Sequence, residues 1–152
     1  MTENLNFQYC QKIVVFDKED RVLLAKRKGE ADYDGTFSFI GGKMEVADGG
    51  ILEGVRREKQ EEIGHRAILL AAPHLSFNVY FTKSDGSAMI LPHLYAEYVD
   101  GPIELNEEYS EYQWVPIADI DNFEPKIETI PSAIKYAKRL QRIITPEDLS
   151  EI

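Results

Sequence analysis

Residues 41–64 read GGKMEVADGGILEGVRREKQEEIG, and this stretch decides the fold. Its second half predicts a helix over residues 51–63 that stops at Gly64, because glycine often follows the last helical residue. Spacings of three and four positions bring three carboxylates to one side of that helix: Glu58, Glu61 and Glu62. Like charges at these spacings oppose helix formation, and a divalent cation would reverse that effect. Such oxygen ligands suit Mg²⁺ or Mn²⁺.

The alternative interpretation of this helix is a solvated charged surface, in which Arg57 and Glu61 form an ordinary ion pair one turn apart. The order of the residues favours a site. The pattern Arg57-Glu58-x-x-Glu61-Glu62-x-Gly64 follows a Gly-Gly turn by one helix length, and it resembles the box of the Nudix hydrolase superfamily, G-x5-E-x7-R-E-U-x-E-E-x-G-U, where U is aliphatic. The box covers residues 41–65, and the order of strands, loops and helices along the whole chain is similar to that fold.

The resemblance implies roles for particular residues. The carbonyl of Gly41 and the carboxylates of the three glutamates would hold Mg²⁺, with Mn²⁺ as a substitute, while Arg57 orients the glutamates. The base that takes the proton of the attacking water comes either from the box or from a later loop, where Glu108 is the matching residue and a further metal ligand. Glu107 and Glu111 are its rivals, and a solvated acidic loop is the alternative.

Three departures from the box stand out. Asp48 replaces the first glutamate, and eight residues instead of seven separate it from Arg57, so the loop has gained one residue. Lys59 and His65 occupy the two aliphatic positions. Lys59 shares a stripe with apolar residues, where a buried ammonium is costly, so we expect its stem to follow the core and its amine to reach water.

Residues on the substrate side are predicted from their position near the box. Arg27 and Lys43 are candidates for the phosphates, and Phe39 for a ring near the nucleobase, although packing in the core is the alternative for Phe39. Four further aromatic residues are stacking candidates with strand packing as the default: Tyr33, Phe77, Tyr80 and Phe81. The histidines lack the spacing of metal ligands and are assigned none.

The rest of the chain predicts one α+β domain over residues 1–152. We expect strands at residues 12–16, 21–26, 67–71, 75–82, 89–99 and 112–115, and a short apolar run at 37–40 that Gly41-Gly42 ends. A last helix is predicted to begin after Thr129. Two helices intermixed with six or seven strands indicate an α/β/α sandwich around a mixed sheet.

Composition excludes several classes of partner. Twenty-seven acidic against seventeen basic residues give a net charge of −10, which disfavours nucleic acid and anionic membranes. The single cysteine, Cys10, rules out an internal disulfide. No apolar run is long enough to cross a membrane, and a cytoplasmic location is expected. The resemblance implies that homodimers are common, although no exposed apolar stripe marks an interface.

Together these features predict a Mg²⁺-dependent hydrolase that cleaves a pyrophosphate bond in a nucleotide. The compact domain favours a nucleoside or deoxynucleoside triphosphate, giving the monophosphate and pyrophosphate. A nucleotide-sugar or ADP-ribose pyrophosphatase is the alternative substrate class. A nucleotide-binding module without turnover is the alternative of another kind, motivated by Lys59 and the lengthened loop.

Overall fold

The computed structural model describes residues 2–30 and 32–152. Its strands are β1 (Gln8–Phe16), β2 (Arg21–Arg27), β3 (Phe37–Ser38), β4 (Ile40–Lys43), β5 (Ile68–Thr82), β6 (Ala88–Asp100), β7 (Tyr109–Pro116) and β8 (Ser150–Glu151). Its α-helices are α1 (Ile51–Ile63) and α2 (Ile130–Ile143). Short 3₁₀ turns lie at Val46–Asp48, Ile117–Asp119 and Pro146–Asp148.

The strands form one mixed sheet in the order β3-β2-β1-β6-β5-β8, with β4 paired to β1 and β7 paired to β2. β1 and β6 run parallel, while the other named pairs are antiparallel. Besides β6, β1 has two further partners: its first half pairs with β4, and its end meets β2 at Phe16 and Val22. The start of β1 and the ends of β2 and β4 therefore lie at the same edge of the sheet.

Each face of the sheet is covered by one helix. The helix α1 places Val55 and Ile63 on a core that includes Ile13, Val15 and Leu94. On the opposite face, α2 buries four residues at the spacing of a helical stripe, Ile130, Ala133, Ile134 and Ala137. The predicted α/β/α sandwich is confirmed, and so are the predicted bounds of α1.

Two predictions for the strands are wrong. Gly41 and Gly42 do not end a strand but belong to β4, where they pair with Lys12 and Gln11 of β1. The runs at 67–71 and 75–82 are not two strands, because β5 continues through both with a shift of register between Ala71 and Ser76. A strand can pass an irregularity of this kind by bulging, and the local sequence pattern does not reveal it.

The end of the chain adds an element that the sequence did not predict. Ser150 and Glu151 pair with β5, and Ile152 is buried in the core beneath α1. Among the described residues, no helix combines the length and the apolar character needed to cross a membrane.

Candidate active site

The loop before α1 is organised by Asp48. Its carboxylate accepts hydrogen bonds from Nε of Arg57 at 2.6 Å and from Nη2 at 3.0 Å, and it also accepts one from the backbone N–H of Glu45 at 2.7 Å. These bonds, those to Arg57 foremost, hold the pKa of Asp48 below its usual range. A 3₁₀ turn and a left-handed Gly49 absorb the extra loop residue. The shorter acid thus keeps a two-point contact with Arg57 in spite of the insertion.

Arg57 ties the loop to the glutamates of α1. Its Nη1 lies 3.0 Å from Oε1 of Glu58 and 3.1 Å from Oε2 of Glu61. Its Nη2 also donates to the backbone carbonyl of Lys43 at 3.0 Å. The guanidinium therefore fixes the loop and two carboxylates at once, as a planar group with five donors can.

Glu62 is almost fully buried, with 2% of its surface exposed. Its Oε1 accepts a hydrogen bond from the backbone N–H of Gly41 at 2.6 Å and another from the hydroxyl of Tyr109 at 2.9 Å. Burial raises the pKa of Glu62 to about 8, the Gly41 N–H opposes that shift, and interaction with the carboxyl of Glu108 adds to it. A carboxylate in this position needs a nearby cation to stay charged at neutral pH.

Glu58 lies directly over Gly42 of β4. A β-carbon added to Gly42 would lie 2.7 Å from Oε1 of Glu58, so a larger residue at 42 would displace the carboxylate. Burial raises the pKa of Glu58, Arg57 opposes the shift, and the charges of Glu61 and Glu108 add to it. The glycine at this position therefore makes room for a carboxylate.

Of the three candidate bases in the later loop, Glu108 is the one that contributes to the raised pKa of both Glu58 and Glu62. Glu111 instead lies across from Lys26, 3.7 Å from its Nζ. Glu107 is exposed. The backbone of Glu108 is held by Lys28, whose N–H donates to its carbonyl at 3.0 Å.

The donor set fits a hard divalent cation. Three carboxylates lie on one side of α1, those of Glu58, Glu61 and Glu62, and with Glu108 they form the carboxylate cluster. Within residues 2–30 and 32–152 no three carboxylate, imidazole or thiol groups are already arranged as metal ligands. Glu58 and Glu61 are instead ion-paired with Nη1 of Arg57.

The prediction for Lys59 is wrong. Its side chain does not reach water, because only 1% of the residue is exposed. Its Nζ donates instead to the backbone carbonyl of His65, at 3.4 Å, just beyond the end of α1. Burial lowers the pKa of this amine, and the charge of Glu151 opposes that shift. Lys59 thus faces the interior near the end of α1.

The predicted substrate residues lie in different surroundings. Arg27 pairs with Glu30, and its buried Nε has no hydrogen-bond partner among the described residues. Lys43 is exposed. Phe39 is 4% exposed and its ring meets that of His93 edge-on, with centroids 5.8 Å apart, so the residue packs in the core.

The other aromatic candidates border two clefts. Phe77 stacks on His93 with centroids 4.9 Å apart, and with Tyr136 it lines a cleft of about 360 Å³ between β5 and α2. Tyr33 and Phe81 line a second cleft of about 290 Å³. Tyr80 is exposed, with 52% of its surface accessible.

Two residues of the site escape prediction from sequence. Tyr109 lies 47 positions from the glutamate that it contacts, and only its place beside Glu108 could have suggested it. Gln11 is fully buried and donates from Nε2 to the carbonyl of Ile51 at 3.0 Å, which holds the first turn of α1 against β1. Nothing in the local pattern around Gln11 indicates this contact.

Comparison with known protein families matches residues 8–136 to the NUDIX domain. The chain belongs to this family. A nucleoside triphosphatase, NudI from Klebsiella pneumoniae (strain 342), is 27% identical over 118 residues, which are 72% of this chain and 83% of that protein.

Two solved structures show how widely the fold of this NUDIX protein is shared. The MutT protein from Methanosarcina mazei Go1 aligns with a TM-score of 0.72 at 20% identity, covering 93% of this chain and 99% of that one. The NUDIX domain of Shewanella oneidensis NrtR, in complex with ADP-ribose, aligns with a TM-score of 0.67 at 16% identity, covering 92% and 90%.

Membership of the family fixes the general class of reaction. The chain is a hydrolase of the Nudix type, which acts on acid anhydrides that contain phosphorus. The carboxylate cluster on α1, with Arg57 and the preceding glycines, is the segment whose pattern carries this membership.

Proposed function

We propose that this Nudix protein hydrolyses nucleoside or deoxynucleoside triphosphates to the monophosphate and pyrophosphate, with Mg²⁺ as cofactor. The observation that carries the proposal is the grouping of Glu58, Glu61 and Glu62 on one side of α1, where Arg57 pairs with the first two and Glu62 is buried. The substrate class is supported by the similarity to a nucleoside triphosphatase.

The metal would be held by the carbonyl of Gly41 and the carboxylates of the cluster. When bound, Mg²⁺ or Mn²⁺ neutralises the diphosphate and activates water toward phosphorus. Arg57 pairs with both Glu58 and Glu61 and so would restrain these two side chains next to the loop. The donors on Oε1 of Glu62 leave its other oxygen for the cation.

Glu108 is the base that we assign to the proton of the attacking water. It is exposed and so can exchange protons with solvent, and it lies beside the buried glutamates. The backbone bond from Lys28 fixes its position just before β7. A glutamate of the box is the alternative for this role.

The substrate would run from the cluster toward the face of α2. Arg27 has a buried Nε without a partner in the described residues, and its guanidinium lies near Glu62 and Tyr109, so it suits a phosphate oxygen. Lys43 is exposed at the end of β4 and suits a second phosphate. The cleft bordered by Phe77 and Tyr136 is a candidate for the nucleoside.

The second candidate substrate is ADP-ribose or a nucleotide sugar. It is favoured by the ADP-ribose complex of a NUDIX domain with the same fold. Such a substrate has two groups joined by a diphosphate, and its products would be two monophosphates. The hypothesis of a module that binds nucleotide without turnover is based in part on Lys59. It is weakened because Lys59 turns away from the glutamates and donates to the carbonyl of His65.

The test is a release assay over a panel of substrates with Mg²⁺ or Mn²⁺. The panel contains the nucleoside and deoxynucleoside triphosphates, ADP-ribose, GDP-mannose and a dinucleoside polyphosphate, and chromatography separates pyrophosphate from monophosphate products. We expect turnover of triphosphates that EDTA abolishes. Turnover confined to ADP-ribose or sugar nucleotides would select the second candidate, and saturable binding with no turnover would select the binding module.

The matched variants are Glu62→Gln and Glu53→Gln, both on α1. Glu62→Gln should lower kcat by at least about 100-fold, because it removes a charge from the cluster. Glu53 is exposed in the first turn, outside the cluster, so Glu53→Gln should leave kcat unchanged. Equal activity of the two variants would contradict the proposed site.

A further inference from the structure

Tyr109 is a buried tyrosine at the start of β7, with 5% of its surface exposed. Its ring packs in the core beneath α1, and its hydroxyl donates to Oε1 of Glu62 at 2.9 Å. A hydroxyl inside a core needs a partner, and here that partner is a carboxylate of the reaction site rather than a backbone carbonyl.

The two donors to Glu62 come from fixed parts of the sheet. The N–H of Gly41 belongs to β4 and the hydroxyl of Tyr109 to β7, and both bonds end on the same oxygen, Oε1. Two donors in fixed positions restrain the rotation of a carboxyl group about its last bond. The other oxygen, Oε2, therefore keeps one direction.

The place of Tyr109 in the chain links it to the base. Glu108 lies in the turn before β7 and Tyr109 is the first residue of that strand, so the proposed base and the residue bonded to Glu62 are neighbours in the chain. The turn before them is held by Asn106, whose Oδ1 accepts from the N–H of Glu108 at 3.1 Å and whose carbonyl accepts from the N–H of Tyr109. Tyr109 also lies opposite Arg27 of the neighbouring strand β2.

We propose that Tyr109 is a positioning residue for Glu62: its hydroxyl, together with the Gly41 N–H, orients the free oxygen of Glu62 toward a divalent cation. This role rests on the proposed function. Tyr109 itself touches neither the cation nor the substrate. It acts on the metal indirectly, through a hydrogen bond that fixes the orientation of a metal ligand. Its loss should therefore weaken metal binding more than it lowers the stability of the fold.

The chain offers a matched control in Tyr95. Its hydroxyl is also buried and also donates to a glutamate, Glu97, at 2.8 Å, and it accepts from Gln141 at 3.0 Å. Tyr95 lies in the core beneath α2, away from the carboxylate cluster. Tyr109→Phe and Tyr95→Phe therefore remove the same atom from two similar surroundings, of which one belongs to the site.

The experiment measures Mn²⁺ binding by electron paramagnetic resonance without nucleotide, together with kcat, KM and the melting temperature in EDTA. For Tyr109→Phe we expect a roughly tenfold higher Kd for Mn²⁺ and a kcat at least about tenfold lower, with little change in the nucleotide KM. Tyr95→Phe should lower the melting temperature to a similar extent and leave the Kd for Mn²⁺ and kcat as in the wild type.

Three results would overturn the proposal, and they differ. Unchanged Mn²⁺ binding and kcat in Tyr109→Phe would make Tyr109 a core residue only, while the proposed function stands. Equal loss of Mn²⁺ binding in both variants would mean that general loosening of the fold causes the effect. A wild-type protein that neither binds Mn²⁺ nor hydrolyses nucleotides would refute the proposed function and the role of Tyr109 with it.

Discussion

The side of the sheet under α1 and the side under α2 bury different kinds of residue. Seven polar or charged side chains are buried in the described part of the chain, and five of them belong to or contact α1 and its preceding loop: Gln11, Asp48, Glu58, Lys59 and Glu62. On the α2 side the corresponding residue is His93, which packs among aromatic rings. Apolar residues supply the rest of that core.

This difference shows that the two helices are held against the sheet by different kinds of contact. The helix α2 is held mainly by a stripe of apolar residues, a contact that tolerates small shifts, and by the bond from Gln141 to the hydroxyl of Tyr95. The helix α1 is held in addition by bonds with fixed geometry, such as Gln11 to the carbonyl of Ile51 and Gly41 to Glu62. Removing a carboxylate from water is costly, so it can be buried only where hydrogen-bond donors such as these offset the lost hydration.

The strongest test of the α1 side is Gly41→Ala. A β-carbon there would overlap the carbonyl oxygen of Gln11 and lie 2.9 Å from Cα of Lys12, and the backbone has φ +130°. Because the obstacle is backbone, we expect the free energy of unfolding to fall by at least about 3 kcal/mol. Urea unfolding followed by circular dichroism measures it.

Gly49→Ala is the control for that substitution. Gly49 also has a positive φ, of 79°, but a β-carbon there meets nothing within 4 Å. Only backbone strain remains, so the cost should be about 1 kcal/mol. If both variants lost the same stability, close approach of β4 to β1 would not be what requires Gly41.

Acid should lower the free energy of unfolding through His93, which is buried on the α2 side of the sheet. Burial lowers the pKa of this imidazole to about 4, and the charge of Lys12 also lowers it. The unfolded chain protonates near pH 6.5, so on acidification it takes up the proton first, and the stabilisation present above that pH is lost down to about pH 4. The full loss is about 3 kcal/mol.

The control for this effect is the His93→Phe variant, which lacks the imidazole. Free energies of unfolding are measured in urea from pH 7.5 to 4 for both proteins, in EDTA. The carboxylates titrate in both, so the difference between the two curves isolates His93. Parallel curves would show that His93 titrates normally and that its stacking with Phe77 does not exclude water.

The smallest expected effect concerns Lys59. Its ammonium is buried with one long hydrogen bond, of 3.4 Å, so Lys59→Met should raise the free energy of unfolding by about 1 kcal/mol. Because the amine points away from the glutamates, kcat should not change. The exposed Lys135 of α2 gives the control Lys135→Met, with an expected change under about 0.5 kcal/mol. A large fall in kcat for Lys59→Met would show that this residue shapes the active site.

The features that could be predicted from the sequence are those that depend on neighbouring residues. The bounds of α1 follow from its periodicity and from Gly64, and the common side of Glu58, Glu61 and Glu62 follows from helical spacing alone. The alternation of strands and helices was enough to predict a mixed sheet between two helices. Such features are local, so they need no knowledge of how distant segments meet.

The contacts of α1 with distant segments depend on the tertiary structure. It joined the hydroxyl of Tyr109 to Glu62 across 47 positions and brought the N–H of Gly41 to the same carboxyl group. The register of β7 against β2 and the pairing of β4 with β1 set these contacts. A shift of one residue in either pairing would turn each side chain to the other face, and nothing in the local pattern fixes that register.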